Sequence, residues 1–315
     1  MLQSPPRILR LGTRGSLLAR SQSGLVARSL EERHPGLKVE LVFFRTSGDQ
    51  IADKPLHEFG GKGLFTKELE QALLAGTIDF AVHSFKDVPV TMPLVDQTDL
   101  IIAAIPERED PGDVLVSRGG MKLADLGHSA RVGTGSLRRR SQLLSLRPDL
   151  NIELIRGNID TRLRKCLSGE YDAIVLAMAG LKRAGLFDSK TMAVFDPAEL
   201  LPAPGQGALA LQCRRDDEQT RHYLGALNDP VSADCVAAER ELVRLLEGDC
   251  HSPIAALATR VGDGLILRAI VGTRDGNPPV IRASESGAVN DPLALAQLVF
   301  SRLCQQNVRN LLHGK

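Results

Sequence analysis

The sequence predicts an α/β protein of two similar lobes followed by a smaller α+β domain. Three observations lead there. A set of landmarks occurs twice in the same order, strand and helix patterns alternate within each copy, and the pattern changes after a Pro/Gly-rich crossing at 202–208. Alternation of this kind builds a parallel sheet covered by helices. A length of 315 residues is enough for two or three such cores.

The first copy opens on the apolar strand Ile8–Leu11 and breaks into Gly12-Thr13-Arg14-Gly15-Ser16-Leu17. Ser16 there has the chemistry of a helix N-cap. The helix that follows ends at His34-Pro35-Gly36, and Leu37–Leu41 is the next strand. A second helix stops at Ala75-Gly76 and leads into strand Ile78–Val82. The second copy repeats the series. Arg131-Val132 begins a strand, Gly133-Thr134-Gly135-Ser136-Leu137 forms the turn, and Arg147-Pro148 precedes strand residues 150–154. Asn158 caps a helix with apolar Ile159, Leu163 and Leu167 at i, i+4 and i+8, and Ser168-Gly169 leads into strand Ala173–Val175. Beyond the crossing, residues 231–246 read as a helix and 247–253 as a turn. Strands follow near 254–260, 265–271 and 280–283, with a last helix at 292–312. The expected boundaries are 1–102 with 207–225 for the first lobe, 103–206 for the second, and 226–315 for the third domain. Two lobes of this kind predict a ligand cleft between them.

Composition excludes several classes. Apolar residues are 43% and charged residues 24%, as in ordinary globular proteins. Apolar runs such as Ala173–Leu181 fall well short of the roughly 18 residues of a membrane span. The N-terminal stretch has no secretory apolar core. Five cysteines form no CxxC pair, and no HExxH occurs, so neither a disulfide framework nor a metal site is expected. A net charge of +1 and 3% aromatics without tryptophan argue against nucleic acid.

Charge distribution says more than the total. Residues 131–165 hold nine cationic residues against three acids, leaving +6 there and −5 on the rest of the chain. Nearly all the cations are arginines, whose planar fork meets carboxylate or phosphate at two points. Both Gly-Thr-containing turns follow a strand and precede a helix, where free N–H groups and the helix dipole favour anions. Arg14 sits in the first turn, Arg138 and Arg139 begin the second helix, and Arg156 and Arg162 flank the next one. The second turn lacks the third glycine of a dinucleotide fingerprint, and no GxxxxGK[ST] is present. The ligand expected is one with several carboxylates or phosphates.

Strand Ile78–Val82 runs into His83-Ser84-Phe85-Lys86-Asp87-Val88-Pro89. Ligands of open α/β sheets bind beyond the carboxyl ends of strands, which places Ser84, Lys86 and Asp87 well. A carboxylate beside an ammonium handles protons and stabilises a cation; His83 reads as a packed or capping histidine. Residues 47–63 form a polar Gly-rich connection, a candidate lid, with Lys62 able to meet an anion. Cys250 stands in a Gly/Pro turn after the helix of the third domain.

Seven motifs stand in order along nearly the whole chain: Thr13-Arg14-x-Ser16-x-Leu18-Ala19-x-x-Gln22, Gly60-Gly61-Lys62-Gly63-Leu64-Phe65, His83-Ser84-x-Lys86-Asp87-Val88-Pro89, Gly133-Thr134-x-Ser136-Leu137-Arg138-Arg139, Arg156-Gly157-Asn158-x-x-Thr161-Arg162-Leu163, Pro202-Ala203-x-Gly205-Gln206-Gly207-Ala208 and Cys250-x-x-Pro253. Together they resemble the porphobilinogen deaminase, or hydroxymethylbilane synthase, family. The resemblance implies two periplasmic-binding-protein-like α/β lobes plus the small C-terminal α+β domain. It implies a transferase of tetrapyrrole (haem and porphyrin) biosynthesis, which condenses four porphobilinogen molecules with loss of ammonia. It implies a dipyrromethane cofactor joined by thioether to Cys250. Asp87 matches the family's essential carboxylate, assisting ammonia loss, stabilising the cationic azafulvene and managing pyrrole N–H protons. Ser84, Lys86, Ser136, Arg138, Arg139 and Arg162 match residues holding cofactor carboxylates. Arg14, Ser16, Lys62, Arg156, Arg162 and Arg183 match those handling substrate and growing chain.

Two departures are visible. Gly135 replaces a common serine, and Asp249 replaces a glycine before the cysteine; neither removes a residue the chemistry requires. The same reading expects a cytoplasmic monomer with no nucleic-acid or membrane partner and no metal. The competing reading is a two-lobed solute-binding protein for a polycarboxylate, which carries no covalent pigment and has no use for Asp87.

Overall fold

The computed structural model describes residues 7–46, 66–90, 99–249 and 251–313. They belong to two compact units, Met1–Arg108 with Ala208–Ala233 and Glu109–Gly207 with Asp234–Lys315. In the first unit, β1 (Arg7–Arg14), β2 (Leu37–Phe44), β3 (Phe80–Ser84), β4 (Leu100–Ala104) and β10 (Leu209–Arg214) form one sheet in the order β2-β1-β3-β10-β4. Its helices are α1 (Leu17–Arg33), α2 (Lys67–Leu74) and α6 (Glu218–Gly225). Leu9, Leu11, Phe80, Leu209 and Leu211 pack with Val26 and Leu30 of α1. Leu69 and Leu73 of α2 pack with Ile78, Ala81 and Leu100. Cover on both sides leaves β3 and β10 buried along all but their last residue.

The second unit repeats this plan. β5 (Asp113–Ser117), β6 (Arg131–Gly133), β7 (Asn151–Glu153), β8 (Ala173–Ala177) and β9 (Met192–Val194) take the order β7-β6-β8-β5-β9. The helices are α3 (Leu137–Leu146), α4 (Ile159–Leu167) and α5 (Met178–Arg183). Strand for strand, the two sheets match, so the repeat in the sequence is a repeat of topology.

One expectation needs correction. Neither sheet is wholly parallel, because β10 runs antiparallel to β3 and β4, and β5 runs antiparallel to β8 and β9. The parallel strands of each copy are joined through helices, as a crossover requires. β5 and β10 instead enter from the connections 105–112 and 195–208, which hold no α-helix, so no helical crossover dictates their direction.

The C-terminal part of the second unit takes in α7 (Pro230–Leu245) from Asp234 onward and continues as an antiparallel meander of β11 (Ile254–Val261), β12 (Gly264–Val271) and β13 (Ile281–Ala288). The single last helix expected at 292–312 is two, α8 (Pro292–Gln305) and α9 (Val308–His313). Asn307, at φ 60°, breaks it in the left-handed region that asparagine tolerates. The meander is tied to the rest of its unit. Ala256 N–H donates to Pro202 O at 3.2 Å, and Leu201 packs among Ala255, Leu257 and Ile270.

Candidate functional site

β1 and β3 are parallel neighbours, so their carboxyl ends open on the same edge of the first sheet. At the end of β1 the Thr13 hydroxyl is buried, accepts from Ser23 Oγ at 2.7 Å and donates to Ala19 O at 3.3 Å. This pins the turn against α1. Ser16 is the N-cap, its Oγ accepting from Ala19 N at 3.3 Å, and Arg14 beside it is half-buried. At the end of β3, Ser84 Oγ pairs with the Gln22 side-chain amide at 3.0 Å, a bond across 62 residues. A single helical turn, Phe85–Asp87, follows. Phe85 is buried and its N–H donates to Ala208 O at 3.0 Å, which fixes the turn on β10. Lys86 is thereby half-buried and Asp87 exposed. The first sheet therefore collects Arg14, Ser16, Ser84, Lys86 and Asp87.

Behind this edge runs a buried polar chain that composition could not reveal. His83 Nε2 donates to Gln212 Oε1 at 3.0 Å, and Gln212 Nε2 donates to Glu70 Oε1 at 3.1 Å. Burial pushes the His83 imidazole down from about 6.5 to about 4, only partly opposed by Gln212, and nearby Arg14 adds to the shift. His83 is thus a packed neutral histidine, as expected. Its neutral form is the one the fold prefers. The unfolded chain protonates near pH 6.5 while the folded protein resists until about pH 4. Stability from this group is complete above pH 6.5 and declines as pH falls toward 4, by up to about 3 kcal/mol. Denaturant titrations of wild type and His83→Asn check this. The variant should have a flatter profile between pH 6.5 and 4, and equal slopes would remove His83 as the cause.

In the second unit, Ser136 caps α3 and accepts from Arg139 N at 3.5 Å. The two arginines of the first helical turn reach down onto Asp113 at the head of β5. Arg138 Nη1 meets Asp113 Oδ2 at 2.8 Å and Leu201 O at 2.7 Å. Arg139 Nη2 meets Asp113 Oδ1 at 2.7 Å, and its Nη1 meets Val175 O at 2.8 Å. Arg138 is 4% exposed, Arg139 6% and Asp113 0%, so the group is buried. Burial by itself would raise the Asp113 carboxyl, but the two guanidiniums outweigh it and hold Asp113 far below the usual carboxylate range. Among the described residues, two cations and one anion leave one positive charge in excess. Arg138 Nε and Arg139 Nε, both buried, have no hydrogen-bond partner among the described residues. Unsatisfied buried donors are costly, and an anion relieves both the charge and the donors.

The remaining arginines lie in the same unit. Arg156 follows β7 and is half-buried; Arg162 on α4 donates from Nε to Gly157 O at 2.8 Å. Arg183, at the end of α5, donates from Nη2 to Gly207 O at 2.7 Å, and burial lowers its guanidinium to about 10 against the pull of Glu109. Lys62, Cys250 and the whole of the expected lid at 47–63 lie outside the described residues. The turn that leads to Cys250 is described on either side. Asp249 Oδ1 accepts from the His251 and Ser252 backbone N–H groups, each at 2.9 Å, and from Ser252 Oγ at 2.9 Å. The departure at 249 therefore has a structural use, a carboxylate that shapes this turn. At Gly135 a Cβ would come within 3.3 Å of Leu154, a tight but side-chain contact.

Sequence reasoning missed Asp113, Gln206, Glu239 and Gln22 as organisers of these edges. Gln206 Nε2 donates to Asp113 Oδ1 at 2.9 Å and to Pro111 O at 2.7 Å. Glu239, fully buried on α7, accepts from Gly205 N at 2.7 Å and Ala258 N at 2.8 Å. A usable signal existed only for Asp113, a lone carboxylate heading the apolar run Val114–Val116. Among the described residues no group of His, Cys, Asp and Glu could hold a metal ion.

The family described as porphobilinogen deaminase, dipyromethane cofactor binding domain, matches residues 9–222, and the porphobilinogen deaminase C-terminal domain matches 233–305. The chain is 49% identical over 306 residues to the porphobilinogen deaminase of Syntrophobacter fumaroxidans, covering 97% of both. It is 46% identical over 306 residues to that of Roseiflexus sp., covering 97% of this chain and 99% of the relative. Among solved structures, the methionine binding protein MetQ is similar at 15% identity and a TM-score of 0.45, covering 70% of this chain and 90% of that one.

Proposed function

This chain belongs to the porphobilinogen deaminase family, and from that premise we infer how its residues divide the work. It is a transferase that condenses four porphobilinogen molecules, each losing ammonia, into the linear hydroxymethylbilane. Its cofactor is a dipyrromethane. The solute-binding alternative falls with that membership, since only distant structures resemble it.

Asp87 is the catalytic carboxylate. Exposed at the carboxyl end of β3, it holds the pyrrole N–H of an incoming porphobilinogen, stabilises the cation left when ammonia departs, and takes up the proton released as the new carbon–carbon bond forms. Cys250 holds the cofactor through a thioether, with Asp249 shaping the turn beside it. Bound there, the dipyrromethane supplies the nucleophilic pyrrole on which the product is assembled. Ser84, Lys86, Ser136, Arg138, Arg139 and Arg162 hold its acetate and propionate groups. Arg14, Ser16, Lys62, Arg156, Arg162 and Arg183 bind the same groups on substrate and growing chain. The observation that carries this reading is the buried Arg138–Arg139 pair, with one positive charge in excess and two orphaned Nε donors, which fits a carboxylate-bearing group.

The enzyme works as a cytoplasmic monomer without nucleic-acid or membrane partners. The near-neutral net charge and the scarcity of aromatics support the part of this reading that concerns nucleic acid. Sedimentation should give a mass near 34.0 kDa, and a dimer mass would refute the monomer. The experiment on the chemistry is intact mass under denaturing conditions with an aldehyde colour reaction for pyrroles. Wild type should carry the added mass and consume porphobilinogen, while Cys250→Ser should purify without the pigment. An unmodified wild type that fails to consume porphobilinogen after preincubation with it would sink the assignment.

A further inference from the structure

We propose that Asp113 is the positioning residue of the cofactor's anion site, holding the Arg138 and Arg139 guanidiniums by their Nη ends so that both Nε donors stay available to a cofactor carboxylate. This rests on the reading of the arginine pair given above and deepens it. Asp113 stands at the head of β5, within hydrogen-bond reach of three donors: Arg138 Nη1, Arg139 Nη2 and Gln206 Nε2. Each guanidinium is also anchored on a backbone carbonyl, Leu201 O for Arg138 and Val175 O for Arg139. Two anchors fix the plane and rotation of each fork. The Nε atoms that remain belong to the side-on edge by which a guanidinium meets a carboxylate.

The charge arrangement has the same meaning. A purely structural buried network satisfies its donors and cancels its charge, because breaking either rule in low dielectric is costly. Among the described residues this one does neither. One carboxylate between two arginines removes enough repulsion for both to be buried, and leaves one charge and two donors for an anion. A second carboxylate in the protein would have filled the site; none would have left the pair at +2.

The test compares four full-length proteins: wild type, Asp113→Asn, Cys250→Ser and the double variant. Covalent cofactor occupancy is read by intact mass, and the thermal midpoint is read for loaded and unloaded chains. In Asp113→Asn the amide cannot accept from both guanidiniums as the carboxylate does. Most of the purified variant should therefore lack the cofactor mass, and the loaded form should gain less thermal stability over its Cys250→Ser counterpart than wild type gains over Cys250→Ser. A merely structural Asp113 would lower loaded and unloaded midpoints in parallel with full occupancy, and that result overturns the proposal. Should Asp113→Asn fail to fold, Asp113→Glu keeps the charge and moves it by one methylene. Soluble Asp113→Glu should then show reduced occupancy, and full occupancy with an unchanged loading shift overturns the proposal equally. A wild type without the cofactor mass would instead refute the underlying assignment.

Discussion

Asp87→Asn should lower porphobilinogen consumption by about 10²–10⁴-fold while leaving the thermal midpoint close to that of wild type. The amide keeps the size and one acceptor oxygen of the carboxylate but neither takes a proton nor offsets a developing cation. The fold does not depend on Asp87. The turn that carries it is held by Phe85, through its buried ring and its bond to Ala208 O, and by the Val88 N–H donating to Phe85 O at 3.1 Å. Side-by-side progress curves and thermal melts of the two proteins check this. A variant with the wild-type rate removes Asp87 from the chemistry, and one that loses rate and stability together makes its role structural.

Glu239→Ala should destabilise the protein by about 2–6 kcal/mol, the cost of stranding two buried backbone donors at about 1–3 kcal/mol each. Gly205 N and Ala258 N both donate to its carboxylate, one oxygen apiece. Gly205 belongs to the connection whose next residue, Gln206, donates to Asp113. Loss of Glu239 therefore loosens the segment that helps to seat the arginine pair, and cofactor occupancy should fall along with stability. Urea unfolding measures the first effect and intact mass the second. A loss below about 1 kcal/mol would mean that water satisfies both donors. Glu239→Gln, which retains one acceptor, should be intermediate.

Much of the candidate site was legible because its signals are local. Ser16 and Ser136 announce helix starts through N-cap chemistry, and both do cap their helices. Glycines at the strand–helix turns, and a strand that breaks into polar residues after Val82, mark where ligands meet an α/β sheet. Histidine 83 was readable as packed from its place in an apolar strand. Antiparallel β5 and β10 were not legible as such. Their apolar runs are short, fit strand or helix equally, and obtain their direction from connections that lie outside either repeat. The break at Asn307 escaped because apolar spacing continues across it.

By itself, the sequence determined the two-copy plan, the arginine-rich segment of the second copy, and which residues stand at the carboxyl ends of strands. Those facts depend on neighbours within a few positions, where turn chemistry and side-chain period act directly. Only the tertiary structure decided what those residues touch. Arg138 meets Asp113 across 25 positions, Gln206 meets the same carboxylate across 93, and Gln212 reaches Glu70 across 142. Charge is read from composition, but its availability depends on burial and on partners that chain folding brings from a distance. Here one aspartate, unremarked in the sequence, sets how two of the arginines present themselves.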